Sequence, residues 1–238
     1  ANQLFPEMAM TPDGTAVVTW SESPAIRARR FVPVVGWLPT EDVTLVGGGV
    51  ARVATDTAGN AFAAWTDQGD GIAGTVKVNR YSFGSGWGVP QTIASFDLDA
   101  SMDYPPDPGV AMDGSGKAIV CWVAGFYTLS SSLYVSRYDS VWGAPELGAE
   151  EPLWIMSEAR AAVDDHDRGV LIWYRAGRIL SRSYDAVQGW RAIEQRDGGT
   201  GHASQPALVM GIEGTAVAGW VRDPLDGTEI RIESEILE

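Results

Sequence analysis

The 238 residues (25.5 kDa) are 45% hydrophobic and 20% charged, the makeup of a folded globular chain rather than a disordered or collagen-like one. With 28 Gly and 13 Pro, tight turns are expected and long helices are not, while 31 acidic against 17 basic side chains leave a net charge of −14, the wrong sign for neutralising nucleic-acid phosphates or an anionic bilayer. A single cysteine, Cys121, excludes an internal disulfide and a thiolate metal cage, two histidines, His166 and His202, exclude a three-histidine zinc site, and no apolar run is long enough to span a bilayer.

Along the chain, Ala1-Asn2-Gln3 begins neither a basic nor an apolar leader. A strand is predicted at Met8-Ala9-Met10, a turn at Thr11-Pro12-Asp13-Gly14, a second strand ending at Trp20, a third from Ile26 to Phe31, and a fourth opening at Trp37. The order then repeats. The second unit runs Val53-Ala54-Thr55, an Asp56 to Gly59 turn, a strand to Trp65, Val76 to Tyr81, and Trp87 onward, where Pro90 suits an edge strand. The third runs Val110-Ala111-Met112, an Asp113 to Gly116 turn, a strand to Trp122, Leu133 to Tyr138, and Trp142. The fourth has Ala161-Ala162-Val163, Trp173, Ile179 to Tyr184, and Trp190. The fifth has Leu208-Val209-Met210 and Trp220, with Ile230 and Ile232 aligned on the third strand and no second Trp after them.

Trp20, Trp65, Trp122, Trp173 and Trp220 are spaced by 45, 57, 51 and 47 residues. Six residues before each stands Gly14, Gly59, Gly116, Asp167 or Gly214, where a turn needs tolerance of positive φ, and four before stands Ala16, Ala61, Ala118, Gly169 or Ala216. Short antiparallel strands at a period near 48, with small residues inside and bulky Trp further out, predict an all-β, five-bladed β-propeller of four-stranded blades. The whole chain is one domain, its repeats running approximately 6–48, 49–105, 106–157, 158–204 and 205–238 plus 1–5. The N-terminal segment is expected to supply the fourth strand of the last blade and close the ring, which would remove exposed sheet edges. The rival expectation is a segment of a longer array, with one edge left unpaired.

These repeats, with their Val-Ala-Met-Asp-like strand, Asp/Gly turn and Ala-x-Val-x-Trp strand, resemble the bacterial Trp-anchored short-repeat β-propellers. Such propellers are similar in plan to lectin-like propellers and, more remotely, to sialidase-type ones. The Asp-box spacing of the sialidase type is not met, because Gly116 stands six residues before Trp122 rather than about three before an aromatic. The resemblance implies a propeller fold with a broad binding role, and a place outside the cytoplasm, extracellular or periplasmic.

The turns between first and second strands are short and uniform, whereas the loops of the opposite face differ in length from blade to blade. On a rigid scaffold the diverse loops are where binding residues reside. Those loops combine acids with aromatics, the mixture that holds sugars by a flat ring and a few placed polar groups. Candidate ligand-binding residues there are Trp154, the one Trp outside the repeat register, with Tyr104, Phe126, Tyr127, Asp103, Asp107 and Glu158. Thirteen residues before each anchor Trp come Glu7, Arg52, Gly109, Arg160 and Ala207, so Arg52 and Arg160 are further candidates at the channel mouth, either gripping an anion or forming an internal ion cluster. Asp97, Asp99 and Asp103 form a weak calcium-ligand pattern, and no other cofactor is expected. Arg30, Arg80 and Arg137, recurring before the third-strand aromatic, are assigned to the fold.

The first strands show Met, Ala and Val where acids would be needed for catalysis. The expectation is therefore a monomeric, non-catalytic, lectin-like module that binds a carbohydrate or cell-surface glycan through the variable face. The alternatives are a glycoside-acting enzyme with loop acids, or an interaction platform for a basic protein; nucleic acid and membrane insertion are not expected.

Overall fold

The repeated short strands leave little room for helix, and the computed structural model, which describes residues 3–67, 73–97, 107–124, 130–152, 156–211, 214–224 and 231–237, contains no helix among them. Blade one is β1 (Leu4–Met10), β2 (Ala16–Glu22), β3 (Ala25–Val32), β4 (Gly36–Trp37) and β5 (Glu41–Thr44). Blade two is β6 (Arg52–Thr55), β7 (Ala61–Asp67), β8 (Ala73–Ser82), β9 (Gly86–Trp87) and β10 (Gln91–Asp97). Blade three is β11 (Gly109–Met112), β12 (Ala118–Ala124), β13 (Ser130–Asp139), β14 (Val141–Trp142) and β15 (Glu146–Pro152). Blade four is β16 (Met156–Val163), β17 (Arg168–Arg175), β18 (Arg178–Asp185), β19 (Gly189–Trp190) and β20 (Glu194–Gln195). Blade five is β21 (His202–Met210), β22 (Ala216–Asp223) and β23 (Arg231–Leu237). The five antiparallel sheets stand around an axis as a five-bladed β-propeller, with β1, β6, β11, β16 and β21 innermost.

Two details differ from the sequence expectation. In blades one to four the outer strand is broken in two, both halves pairing with the third strand of the blade. In the first three blades the break contains Pro39, Pro90 or Pro145, which has no N–H to give to the ladder. The chain opening also serves differently. Leu4 to Met10 pair with β2 in blade one, and the described part of blade five has three strands, so the described N-terminal residues do not complete the last sheet. The physical reason is a bulge: between Leu4 and Glu7 the register shifts, which lets the innermost strand run past Pro6 instead of starting after it.

The cores lie between blades. Trp65 packs on Ile26, Ala28 and Val43 of blade one, Trp122 on the Phe62 and Val76 side of blade two, Trp173 on Leu133 and Val135 of blade three, and Trp220 on Ile172 and Ile179 of blade four. These four anchor Trp thus reach back to the preceding sheet, and the small residues beside them let the sheets approach. The recurring arginines clamp the same seams further out. Arg30 lies over the Tyr81 ring at 4.1 Å, Arg80 donates to the Tyr138 hydroxyl at 3.0 Å, and Arg137 lies over Tyr184 at 3.7 Å. Each such contact contributes about 0.5–2 kcal/mol, and burial pushes the Tyr81 hydroxyl up from its ordinary pKa.

At one rim, the turns are built alike. Buried Asp56, Asp113 and Asp164 each accept two backbone N–H groups of their own turn, from residues 58 and 60, 115 and 117, and 166 and 168, at 2.8–3.0 Å. The turn closes at Gly59, Gly116 and Asp167 with φ of 82°, 93° and 57°, as the spacing predicts. Neighbouring turns are stitched together: Thr57 donates to the Gly114 carbonyl, and the Gly114 amide to Asp165, both at 2.6 Å.

Candidate functional site at the channel mouth

The opposite ends of the innermost strands carry different chemistry. Thr19 of β2 donates to the Ala51 carbonyl at 3.1 Å, fixing the start of β6 and with it Arg52. One terminal nitrogen of Arg52 bonds Glu7 of β1; the other lies 3.5 Å from Asp107, just before β11. A single guanidinium therefore bridges the two carboxyl groups. Among the described residues, the buried Nε of Arg52 has no hydrogen-bond partner.

On the other side of the axis stand Glu158 and Arg160 of β16. Glu158 accepts the Gln205 amide of blade five at 2.8 Å, and both Glu158 and Gln205 have positive φ, 54° and 55°, at bulges in β16 and β21. Arg160 donates to the Ala159 carbonyl at 2.9 Å. Burial lowers the pKa of its guanidinium, and the neighbouring Arg52 adds to this, while Asp107 and Glu158 act the other way. Arg160 therefore sits between the two halves of the cluster. Its backbone position depends on Gly109, where a Cβ would come within 2.7 Å of the Cys121 sulfur, 2.9 Å of the Ala159 carbonyl and 3.1 Å of the Arg160 Cα. Cys121 itself is enclosed, and burial pushes its thiol up to about 12, so it is a packing residue without thiolate character near neutral pH.

Of the sequence candidates, the fold gathers Arg52, Arg160, Asp107 and Glu158 at one place, together with Glu7. Trp154, Tyr104, Phe126, Tyr127, Asp99 and Asp103 lie outside the described residues, and Asp97 ends β10 opposite Ala73. Among the described residues no group of three or more His, Cys, Asp or Glu side chains is placed to hold a metal ion. The sequence reading missed the ring fifteen residues before each anchor Trp: Phe5, Val50, Asp107, Glu158 and Gln205. Extending the Trp register by two more positions would have found it.

A separate cavity of about 790 Å³ opens between blades two and three, lined by Phe62, Arg80, Gln91, Tyr138 and Trp142 among others. No innermost strand contributes to it. It lacks the convergence of carboxylates that makes the channel mouth the candidate for chemistry.

No protein-family model matches the chain, and no curated protein does. Solved structures match its fold. An α-L-arabinofuranosidase from Fusarium graminearum, in complex with an iminosugar inhibitor, shares 13% identity at a TM-score of 0.59, covering 97% of this chain and 80% of that one. An α-L-arabinanase from Penicillium chrysogenum, complexed with arabinobiose, shares 12% at 0.62, covering 95% and 79%. A Hadza microbial sialidase shares 14% at 0.60, covering 98% and 56%. At such identities the likeness establishes the β-propeller fold.

These likenesses correct the expectation of a non-catalytic, lectin-like module. The structures sharing the fold are mainly glycoside hydrolases, which favours the glycoside-acting alternative over the binder. The reason the sequence misled is local. The centres of the innermost strands carry Met, Ala and Val, whereas Glu7 and Glu158 stand at bulges in β1 and β16 and Asp107 stands just before β11.

Proposed function

We propose that this chain is a glycoside-acting propeller whose reaction takes place at the mouth of the axial channel. The observation that carries the reading is the pair Glu7 and Asp107 held on the two terminal nitrogens of Arg52, with Glu158 and Arg160 across the axis. Glycosidic cleavage asks for two carboxyl groups on opposite sides of one bond: one protonates the departing oxygen, and the other attacks the anomeric carbon or draws a proton from water. Arg52 holds both groups in register, and its charge offsets the cost of placing two carboxylates together. Trp154, Tyr104, Phe126, Tyr127 and Asp103, the aromatic and acidic residues of the variable loops in the sequence, are proposed as sugar-binding residues in the same reading, as is action outside the cytoplasm. The proposed substrate class is a polysaccharide.

The test is a panel of arabinan, aryl arabinofuranosides, sialosides and other aryl glycosides, with products resolved by chromatography. Release of sugar from at least one member is expected. A folded protein that retains a glycan without cleaving it, or ignores the whole panel, overturns the reading.

A further inference from the structure

In blades one, two and three the residue before the third-strand aromatic is an arginine, and in two of them the same partner meets it. Arg30 gives its Nε and one terminal nitrogen to Glu41, at 3.4 and 3.2 Å. Arg137 gives the same edge to Glu146, at 3.2 Å from Nε and 2.6–2.7 Å from the terminal nitrogen. Both acids open the second half of the outer strand, and they hold equivalent places in the ladder, Glu41 opposite Ala28 and Glu146 opposite Val135. Blade two breaks the pattern. Its equivalent place, opposite Val78, is filled by Gln91, an amide of the same size without the charge. The geometry of the arginine changes with it. Arg30 and Arg137 lie over the rings of Tyr81 and Tyr184 at 4.1 and 3.7 Å, whereas Arg80 stands 5.5 Å from the Tyr138 ring and donates to its hydroxyl at 3.0 Å. The buried Nε of Arg80, which its two counterparts give to a carboxylate, has no hydrogen-bond partner among the described residues, an unfavourable state for a buried donor.

Arg80 and Gln91 both line the cavity of about 790 Å³ between blades two and three, which has the size of a small-molecule site. Among the described residues that line it, Arg80 is the one charged side chain. Ser82, Thr92 and Ser140 contribute hydroxyls, and Trp142 contributes an aromatic wall. The Tyr138 hydroxyl, which accepts from Arg80, keeps its own proton to donate. We propose that this cavity binds a sugar acid, its carboxylate meeting the Nε edge of Arg80 as Glu41 and Glu146 meet the edges of Arg30 and Arg137. The carboxylate follows from the group that the two counterpart arginines hold, and a guanidinium edge suits it by paired hydrogen bonds. The hydroxylated body follows from the size of the cavity and from hydroxyls set beside an aromatic ring. The site stands apart from the channel mouth, so the inference does not rest on the reaction proposed there.

Titration of the full chain against glucuronate and galacturonate, followed on the sugar resonances by NMR, tests this, with glucose and galactose as uncharged counterparts. The acids are expected to bind with a Kd of about 0.1–5 mM, and the neutral sugars at least about tenfold more weakly. Added salt should weaken the acids. Gln91→Glu changes an exposed residue and supplies the carboxylate from the chain itself, so it should melt no lower than wild type and lose at least about tenfold in affinity for the acids. Arg80→Lys keeps the charge without the planar fork and should also bind them more weakly. A galacturonate trimer that binds tighter than the monomer identifies the ligand as part of a polysaccharide, and one that binds no tighter identifies a free sugar acid; both uphold the site. Neutral sugars that bind as well as the acids, no binding up to about 50 mM, or acids that bind Gln91→Glu as they bind wild type would overturn the inference. Tighter binding of acetate or inorganic phosphate than of either acid would overturn it as well.

Discussion

The two ends of the innermost strands use the same residue type for opposite purposes. At the uniform rim, Asp56, Asp113 and Asp164 are buried and engaged by amides of their own turns, each nine residues before its anchor Trp in blades two, three and four. At the channel mouth, Glu7, Asp107 and Glu158 occupy positions filled in the other blades by Arg, Gly, Ala, Val, Phe or Gln. Their partners come from different blades. A carboxylate that recurs in register is part of the repeat's own folding; one that varies from blade to blade is available for something the repeat does not need.

The sharpest break of this comparison is Asp113→Ala. It strands two turn amides and the Ser115 hydroxyl, and is expected to cost about 2–4 kcal/mol, read as a melting temperature lower by roughly 5–12 °C. Gly109→Ala drives a methyl group into Cys121 and the Ala159 carbonyl and should cost about 1–3 kcal/mol in chemical denaturation while displacing Arg160. The rims should also differ with pH. Burial alone would raise the Asp164 carboxyl, but hydrogen bonds from the Arg168 amide and guanidinium and the His166 amide outweigh it and hold the group below its ordinary value. A lowered folded pKa means stability that is whole above the unfolded value near 4 and lost as pH falls through the folded one. Melting temperatures measured from pH 6 to pH 2.5 should therefore fall at the acid end, and Asp164→Asn should flatten that fall. The smallest effect is expected at Lys117→Ala, whose ion pair with Asp167 at 2.7 Å is open to water and is worth about 0–1 kcal/mol.

The repeat was legible because Trp is rare and its packing demands recur. Positive φ at Gly14, Gly59, Gly116, Asp167 and Gly214 follows from the spacing of a single turn type. The arginines before each third-strand aromatic were legible as packing residues for the same reason. What escaped reading lies where a strand departs from its period of two. The bulges at the entrances of β1, β16 and β21 insert a residue, so side chains at fifteen and thirteen residues before Trp no longer follow simple alternation there; Glu7 reads as part of the channel mouth, whereas Asp107 and Glu158 read as loop residues. The same bulge hid the start of β1, whose first residues read as the end of an outer strand. Gln205 gave no chemical signal at all, because it contributes its backbone amide.

The most direct measurement compares initial rates of sugar release by wild type, Asp107→Asn and Asp113→Asn, each at a temperature where circular dichroism shows it folded. The account predicts turnover reduced about 10²–10⁴-fold in Asp107→Asn and unchanged in Asp113→Asn. Equal rates in all three proteins would contradict it.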